Sequence, residues 1–178
     1  MTTTRLTRYD RSMLRLMNDR DPRRQALHAT AARRRLAVAA HGTLTLAIVA
    51  LFAHFCFSRA EAVWAAVVAV VLTLPWMVAQ GMINRATRGL LELRERALDE
   101  RQSAERNRVL ARAHRITTCL LAVAVIGLLV TGSADGDVLR NYAVCALTAV
   151  LVAHFVMPSW VAGLTAQDEP AEDDAATL

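Results

Sequence analysis

Apolar residues along this chain are gathered into four long runs, and polar residues fill the segments between them. The runs cover residues 36–57, 62–83, 116–130 and 141–164, and none of them contains Asp, Glu or Arg. A helix needs roughly 20 apolar residues to cross the hydrocarbon core of a bilayer. The pattern therefore predicts an all-α protein with four transmembrane helices, of which the third is the shortest.

Residues 84–115, which separate the second and third spans, are rich in arginine. One straight helix across 84–113 would be about 45 Å long, whereas we expect the second and third spans to be neighbours about 10 Å apart. We therefore expect the chain to double back as a cytoplasmic helical hairpin that extends the second and third spans and turns near 99–103. A helix that lies along the membrane and breaks near Gly89 is the alternative. The apolar seam of the hairpin would comprise Ile83, Ala86, Leu90, Leu93 and Ala97 on the first arm and Val109, Ala113 and Ile116 on the second.

Both ends of the chain differ in character from the membrane domain, residues 36–165. Residues 1–35 are basic, and apolar side chains within 1–20 recur at helical spacing, which predicts an N-terminal amphipathic helix in the headgroup plane. A mobile basic tail is the alternative. Residues 166–178 are acidic and poor in apolar residues, which predicts a disordered tail.

The placement of charge predicts the orientation in the membrane. All 21 basic residues are arginine, as codon usage in a high-GC genome would produce, and nineteen of them lie within 1–35 and 84–115. The two short connectors hold one each, Arg59 and Arg140. The positive-inside rule then places both termini and the central segment in the cytoplasm of a bacterium, with the spans in its inner membrane. Because the charge belongs to a membrane face, we expect lipid headgroups and not nucleic acid as its partner.

The run Leu98–Gln102 (LDERQ), followed by Arg106, Arg108, Ala111 and Arg115 before the third span, resembles small four-span membrane proteins of actinobacterial-type bacteria. The resemblance covers about 25 residues. It implies a source and a topology, and it implies no activity and no catalytic residue.

Histidines and cysteines are the chemically versatile side chains left inside the spans. His41 and His154 both fall in the inner half of the bilayer, where bis-histidine haem ligation is one hypothesis and hydrogen bonding to a neighbouring helix is another. His54, Cys56 and Cys145 fall near the outer face, where they would form a soft-metal site, or the two cysteines a disulfide, or all three would simply pack. We expect no cofactor and no metal.

No motif for nucleotide binding, zinc binding or serine hydrolase chemistry occurs, so we expect a protein that is not an enzyme. The main hypothesis is an interaction or scaffold protein whose cytoplasmic arginines engage anionic lipid, a cytoplasmic or membrane protein, or further copies of the chain. One alternative is an oligomeric channel or small-solute exporter, with a path between protomers lined by the prolines of the spans and by Thr43, Thr45, Thr73, Gln80 and Thr148. Another is a membrane haem or metal protein. The residues expected to contact lipid or a partner are Arg8, Arg11, Arg15, Arg94, Arg96, Arg101, Arg106 and Arg108.

Aromatic side chains support the predicted depth of the spans. Trp64 and Tyr142 fall near the outer interface and Trp160 near the inner one, where amphipathic rings are favoured. Trp76 fits this pattern less neatly.

Overall fold

The computed structural model describes residues 7–8, 11–12, 30–58, 62–87, 90–93, 98, 100–133 and 136–166. Within these residues the fold is all-α and contains no strand. Its long helices are α1 (Ala31–Phe57), α2 (Val63–Ala86), α3 (Glu100–Val130) and α4 (Gly136–Thr165), and a 3-10 turn at Thr131–Ser133 follows α3.

The four predicted spans are confirmed as helices that are long and apolar enough to cross a membrane. Each helix contains the predicted apolar run and continues into the polar sequence beside it. α3 begins at Glu100, well before its apolar run starts at residue 116. The added stretch is rich in Arg, Ala and Glu, which have high helix propensity, so the helix propagates through it.

α4 holds the bundle together. It packs against α1 and α3 and, over a shorter length, against α2, while α1 also packs along α2. α2 and α3 hardly touch each other, although they follow one another in the chain. The expectation that the second and third spans are direct neighbours is therefore wrong, because α4 lies closest to α3.

Tight packing is concentrated at one end of the bundle, where α1 and α3 begin and α2 and α4 end. We call it the arginine-bearing end, because it carries Arg34, Arg85 and Arg115. One core cluster there joins α3 and α4 to the segment after α2, and a second joins α1 and α2 beside Trp160. At the opposite end only Ala62 and Ala65 are buried among the described residues. The members of the two clusters are Leu90, Val109, Ala113, Met157, Val161 and Ala162, and Ala37, Val38 and Ile83.

Of the hairpin expected across 84–115, the second arm is helical. In the first arm α2 ends at Ala86 and residues 90–93 form turns, while 88–89, 94–97 and 99 lie outside the described residues. Thr87 is the C-cap of α2, and both its backbone N–H and its hydroxyl donate to the carbonyl of Ile83. Leu90 and Leu93 are nevertheless buried as the seam predicts, whereas Ile116 is 38 % exposed. The burial of these apolar side chains could thus be predicted more readily than the secondary structure of the segment that carries them.

The predicted N-terminal amphipathic helix and the acidic segment lie almost entirely outside the described residues. Within 1–20, the structure describes Thr7, Arg8, Arg11 and Ser12, where the Arg11 N–H donates to the Thr7 carbonyl at 3.1 Å. That bond is a single helical turn. The proposed division into a basic segment, a membrane domain and an acidic tail stays a prediction.

Candidate functional site

A buried layer of polar side chains joins α1, α2 and α4 near the arginine-bearing end. His41 is completely buried, at 0 % exposed, and its ring lies against that of Trp76 with centroids 4.7 Å apart. The indole N–H of Trp160 donates to Nδ1 of His41 at 2.8 Å. The indole N–H of Trp76 donates to the hydroxyl of Thr45 at 2.9 Å. We call this set the polar layer; its members are His41, Thr45, Trp76, Gln80, Ser159 and Trp160.

Helical spacing explains how these residues meet. His41 and Thr45 are four residues apart on α1, as are Trp76 and Gln80 on α2, so each pair shares one face of its helix. The Gln80 amide donates to the Ser159 hydroxyl of α4 at 2.8 Å. α1, α2 and α4 are therefore joined by three hydrogen bonds between side chains of different helices.

The hydrogen bond between Gln80 of α2 and Ser159 of α4 is part of a longer chain of polar contacts. Gln80 also donates to the Asn84 side chain at 3.2 Å, and Asn84 donates to the Glu92 carboxylate at 3.0 Å. A chain of polar contacts thus leads from the buried layer to the exposed surface beyond the end of α2.

The hydrogen bond from Trp160 determines which nitrogen of the neutral His41 ring carries the proton. An indole nitrogen only donates, so Nδ1 accepts and the proton lies on Nε2. Nε2 is buried and has no hydrogen-bond partner among the described residues. The Thr45 hydroxyl donates to the His41 carbonyl at 2.8 Å, so it is not paired with the imidazole as an activated nucleophile would be. What the polar layer supplies is hydrogen bonding between helices.

The two histidines of the haem hypothesis do not meet. His41 is enclosed by Trp76 and Trp160, whereas His154 is exposed on α4 and its ring contacts Phe155. The hydrogen-bonding alternative describes His41, whose partner is the indole of Trp160 on the neighbouring helix α4.

The cysteines near the opposite end do meet. The thiols of Cys56 on α1 and Cys145 on α4 are in contact, and both are free and half-buried. The Asn141 side chain, one turn before Cys145, donates to the Cys56 carbonyl at 3.2 Å. His54 is exposed, and Ser58 and Trp64 surround its ring instead. Across the described ranges, no three His, Cys, Asp or Glu side chains gather as metal ligands would.

Polar residues of the channel hypothesis are distributed over several surfaces. Thr45 and Gln80 belong to the polar layer. Thr43 and Thr73 are exposed, and their hydroxyls donate to carbonyls of their own helices at 2.9 Å and 2.6 Å. Thr148 is half-buried on α4. The five side chains do not line one continuous path within a single copy of the chain.

Arginine side chains form an exposed line along the first half of α3. Arg101, Arg108, Arg112 and Arg115 are spaced by seven, four and three residues, so they lie on one face of the helix. All four are exposed. In the part of the chain that the structure describes, none of the four guanidinium groups forms an ion pair. We call these four residues the arginine face.

The predicted contact arginines are only partly members of this face. Arg101 and Arg108 belong to it. Arg106 is half-buried and donates to the Leu93 carbonyl at 3.0 Å, so it holds the segment after α2 against α3. Arg8 and Arg11 are exposed, whereas Arg15, Arg94 and Arg96 lie outside the described residues.

A shallow cavity of about 370 Å³ lies beside Arg106, between α3 and the segment after α2. Two of its charged groups are already engaged, Arg106 with Leu93 and Glu92 with Asn84. Neither offers a free charge to a ligand. The lining residues are Leu91, Glu92, Leu93, Ser103, Arg106, Asn107 and Leu110.

Sequence reasoning missed the polar layer and two members of the arginine face. Trp76 was the available signal for the layer, because a tryptophan far from both interfaces needs a partner for its N–H inside the bilayer. Arg112 and Arg115 follow Arg108 at helical spacing within the predicted second arm, and that spacing was the available signal for them.

Fold and site together define the class: a helical protein built like a multi-pass membrane protein, with four apolar helices, a buried polar layer and a basic face at one end. No family model matches the chain, and neither a curated protein nor a solved structure matches it.

Proposed function

We propose that this chain is a bacterial inner-membrane protein that recruits an acidic protein to the cytoplasmic membrane surface through its arginine face. Its role is docking and not catalysis, and both termini are cytoplasmic. The observation that carries the proposal is the line of four exposed guanidinium groups without ion pairs on α3. Guanidinium groups bind carboxylates in a two-point geometry, which makes such a line selective for an acidic surface.

The length of the arginine face along the helix axis favours a protein partner over a partner made of lipid alone. From Arg115, next to the apolar run, to Arg101 the helix rises about 21 Å. The headgroup layer on one side of a bilayer is only about 5–8 Å thick. If α3 stands upright, Arg115 and Arg112 lie among lipid phosphates, whereas Arg108 and Arg101 project beyond them into water. A protein surface is therefore the better partner for the upper half of the face.

The bundle beneath suits a platform for docking. Arg106 and the buried Leu90 and Leu93 fix the segment after α2 against α3, and α3 is fixed against α4. A face on a helix held in this way loses little conformational freedom on binding, which favours affinity.

The test is proximity crosslinking of the full-length protein in its native membrane, followed by mass spectrometry of the captured proteins. Arg101→Gln/Arg108→Gln removes two charges from the upper half of the face. Arg33→Gln/Arg35→Gln removes two charges from the same end of the bundle, on α1, and serves as the matched control. We expect the first variant to lose an acidic protein that the control retains. An identical set of captured proteins for both variants would count against docking through α3.

Lipid binding and orientation are tested separately. Flotation with vesicles that contain or lack anionic lipid should respond to Arg112→Gln/Arg115→Gln more than to changes at the two upper arginines. A reporter inserted after Ser103 should be active on the cytoplasmic side, and a periplasmic reading would remove the proposal.

A further inference from the structure

We propose that the acidic segment of this same chain, residues 167–178, binds the arginine face and competes with the partner for it. The segment contains five carboxylates, Asp168, Glu169, Glu172, Asp173 and Asp174, and no basic residue. It lies outside the described residues, but its point of departure from the fold, its reach and its charge all favour this contact.

The point of departure is Ala166, at the end of α4. Its N–H donates to the Ala162 carbonyl at 2.9 Å, and its own carbonyl accepts a hydrogen bond from Arg34 at 2.7 Å. Ala162 packs in one cluster with Val109 and Ala113 of α3. The short connection between α3 and α4 makes them antiparallel, so one further turn of α4 brings Ala166 close to the height of Arg108. The acidic segment therefore starts beside the middle of the arginine face.

The acidic segment is long enough to extend over the arginine face. Twelve residues span up to about 40 Å when extended, and the face is about 21 Å long. The side of α3 that packs on α4 lies at Val109 and Ala113, so the chain must pass part of the way around a helix about 10 Å wide. The last carboxylate, Asp174, is eight residues beyond Ala166 and therefore reaches at most about 27 Å. This is enough, after the detour, to approach arginines about 10 Å above and below Arg108.

Charge complementarity selects this occupant over others at the same end. The four guanidinium groups of the face are exposed and form no ion pairs among the described residues. A tether of this length keeps the carboxylates near the face at an effective concentration on the order of millimolar. Any acidic partner must displace them, which makes the segment an autoinhibitor. The autoinhibitory role rests on the proposed docking function, whereas the contact between the acidic segment and the arginine face does not.

The contact is tested without any partner, in purified full-length protein reconstituted in vesicles of uncharged lipid. Native cysteines are first replaced by serine. A new pair, Ala104→Cys with Ala171→Cys, places one thiol between Arg101 and Arg108 and the other among the carboxylates. The matched control is Asn107→Cys with Ala171→Cys, which is at a similar height but about 100° around the helix from Arg108.

Under mild oxidation we expect the first pair to form its disulfide at least about fivefold faster than the control pair, since ion pairing holds the segment on one face. Adding Arg108→Gln/Arg112→Gln, or raising the salt to about 1 M, where the Debye length is about 3 Å, should remove this difference. Equal rates for both pairs, unchanged by salt, would overturn the proposal.

A second measurement avoids engineered cysteines. The modification rate of the four arginines by phenylglyoxal is followed by peptide mass spectrometry in the native sequence and in a variant whose five carboxylates are amides. We expect several-fold faster modification in the variant, and no change would again overturn the proposal. If the Ala104→Cys pair still forms its disulfide faster than the control pair but the arginine variants capture the same proteins as their control, the docking function alone is refuted. If an acidic protein is lost from Arg101→Gln/Arg108→Gln but the two cysteine pairs react equally fast, the autoinhibitory contact alone is refuted.

Discussion

Replacement of Gly163 tests whether α4 approaches α1 and α2 as closely as the structure shows. A Cβ on Gly163 would lie 2.7 Å from Cγ2 of Val38 and 3.4 Å from Cγ2 of Ile83. Val38 is β-branched and has one strongly preferred rotamer in a helix, and Ile83 is only 1 % exposed. Neither side chain gives way easily, so Gly163→Ala should force α4 away from its neighbours.

The magnitude follows from two opposing terms. Overpacking a tight contact typically costs about 1–3 kcal/mol, whereas replacing a helical glycine by alanine contributes about 1 kcal/mol of helix stability. Gly81 in α2 provides a matched control, because a Cβ there has no neighbour within 4 Å. Gly81→Ala therefore has the favourable term alone. We expect the free energy of unfolding of Gly163→Ala to be about 1–3 kcal/mol lower than that of Gly81→Ala.

The assay is reversible denaturation in detergent micelles, followed by circular dichroism. Val38→Ala supplies an internal check, since it removes the methyl groups that the new Cβ would meet. The double variant with Gly163→Ala should be more stable than the sum of the single effects by about 1 kcal/mol. If Gly163→Ala is as stable as Gly81→Ala, or if Val38→Ala has the same effect in both backgrounds, the close approach of the helices is refuted.

Two further predictions concern the polar layer and the thiols. Trp160→Phe should lower the free energy of unfolding by about 1 kcal/mol, because a buried imidazole nitrogen loses its donor. Trp64→Phe, at a side chain that is 56 % exposed, should leave stability almost unchanged; equal effects would contradict the buried bond. Mild oxidation should join Cys56 to Cys145 in one chain and leave Cys119 open to alkylation, as peptide mass spectrometry would show. Recovery of both thiols in alkylated form would refute their contact.

The four spans could be predicted because a bilayer imposes a strict local requirement. Each backbone polar group must be bonded within its own segment, so an uncharged apolar run of sufficient length becomes a helix wherever it packs. The proximity of Cys56 and Cys145 could be anticipated for the same reason, since depth in the membrane follows from residue counting. His41 and His154 show the limit of such counting, because equal depth does not tell which way a side chain points.

The arginine face was harder to recognise because it depends on where a helix begins. A turn near 99–103 was expected from the assumption that the second and third spans are neighbours. In the part of the chain that the structure describes, α2 ends at Ala86, residues 90–93 form turns, and α3 starts at Glu100. Arg101 and Arg115 therefore belong to one uninterrupted helix, and a single line of charge results.

The sequence alone was enough to derive the helical class, the four spans and the uneven distribution of charge. These depend on the free energy of transferring each segment from water into lipid. Which helices are neighbours depends on contacts between distant residues, such as Gly163 with Val38 or Trp160 with His41. Helix packing inside a bilayer relies on close approach and on individual hydrogen bonds, and the hydrophobic effect does not discriminate between apolar faces there. The central place of α4, the polar layer and the position of Ala166 beside α3 therefore required the tertiary structure.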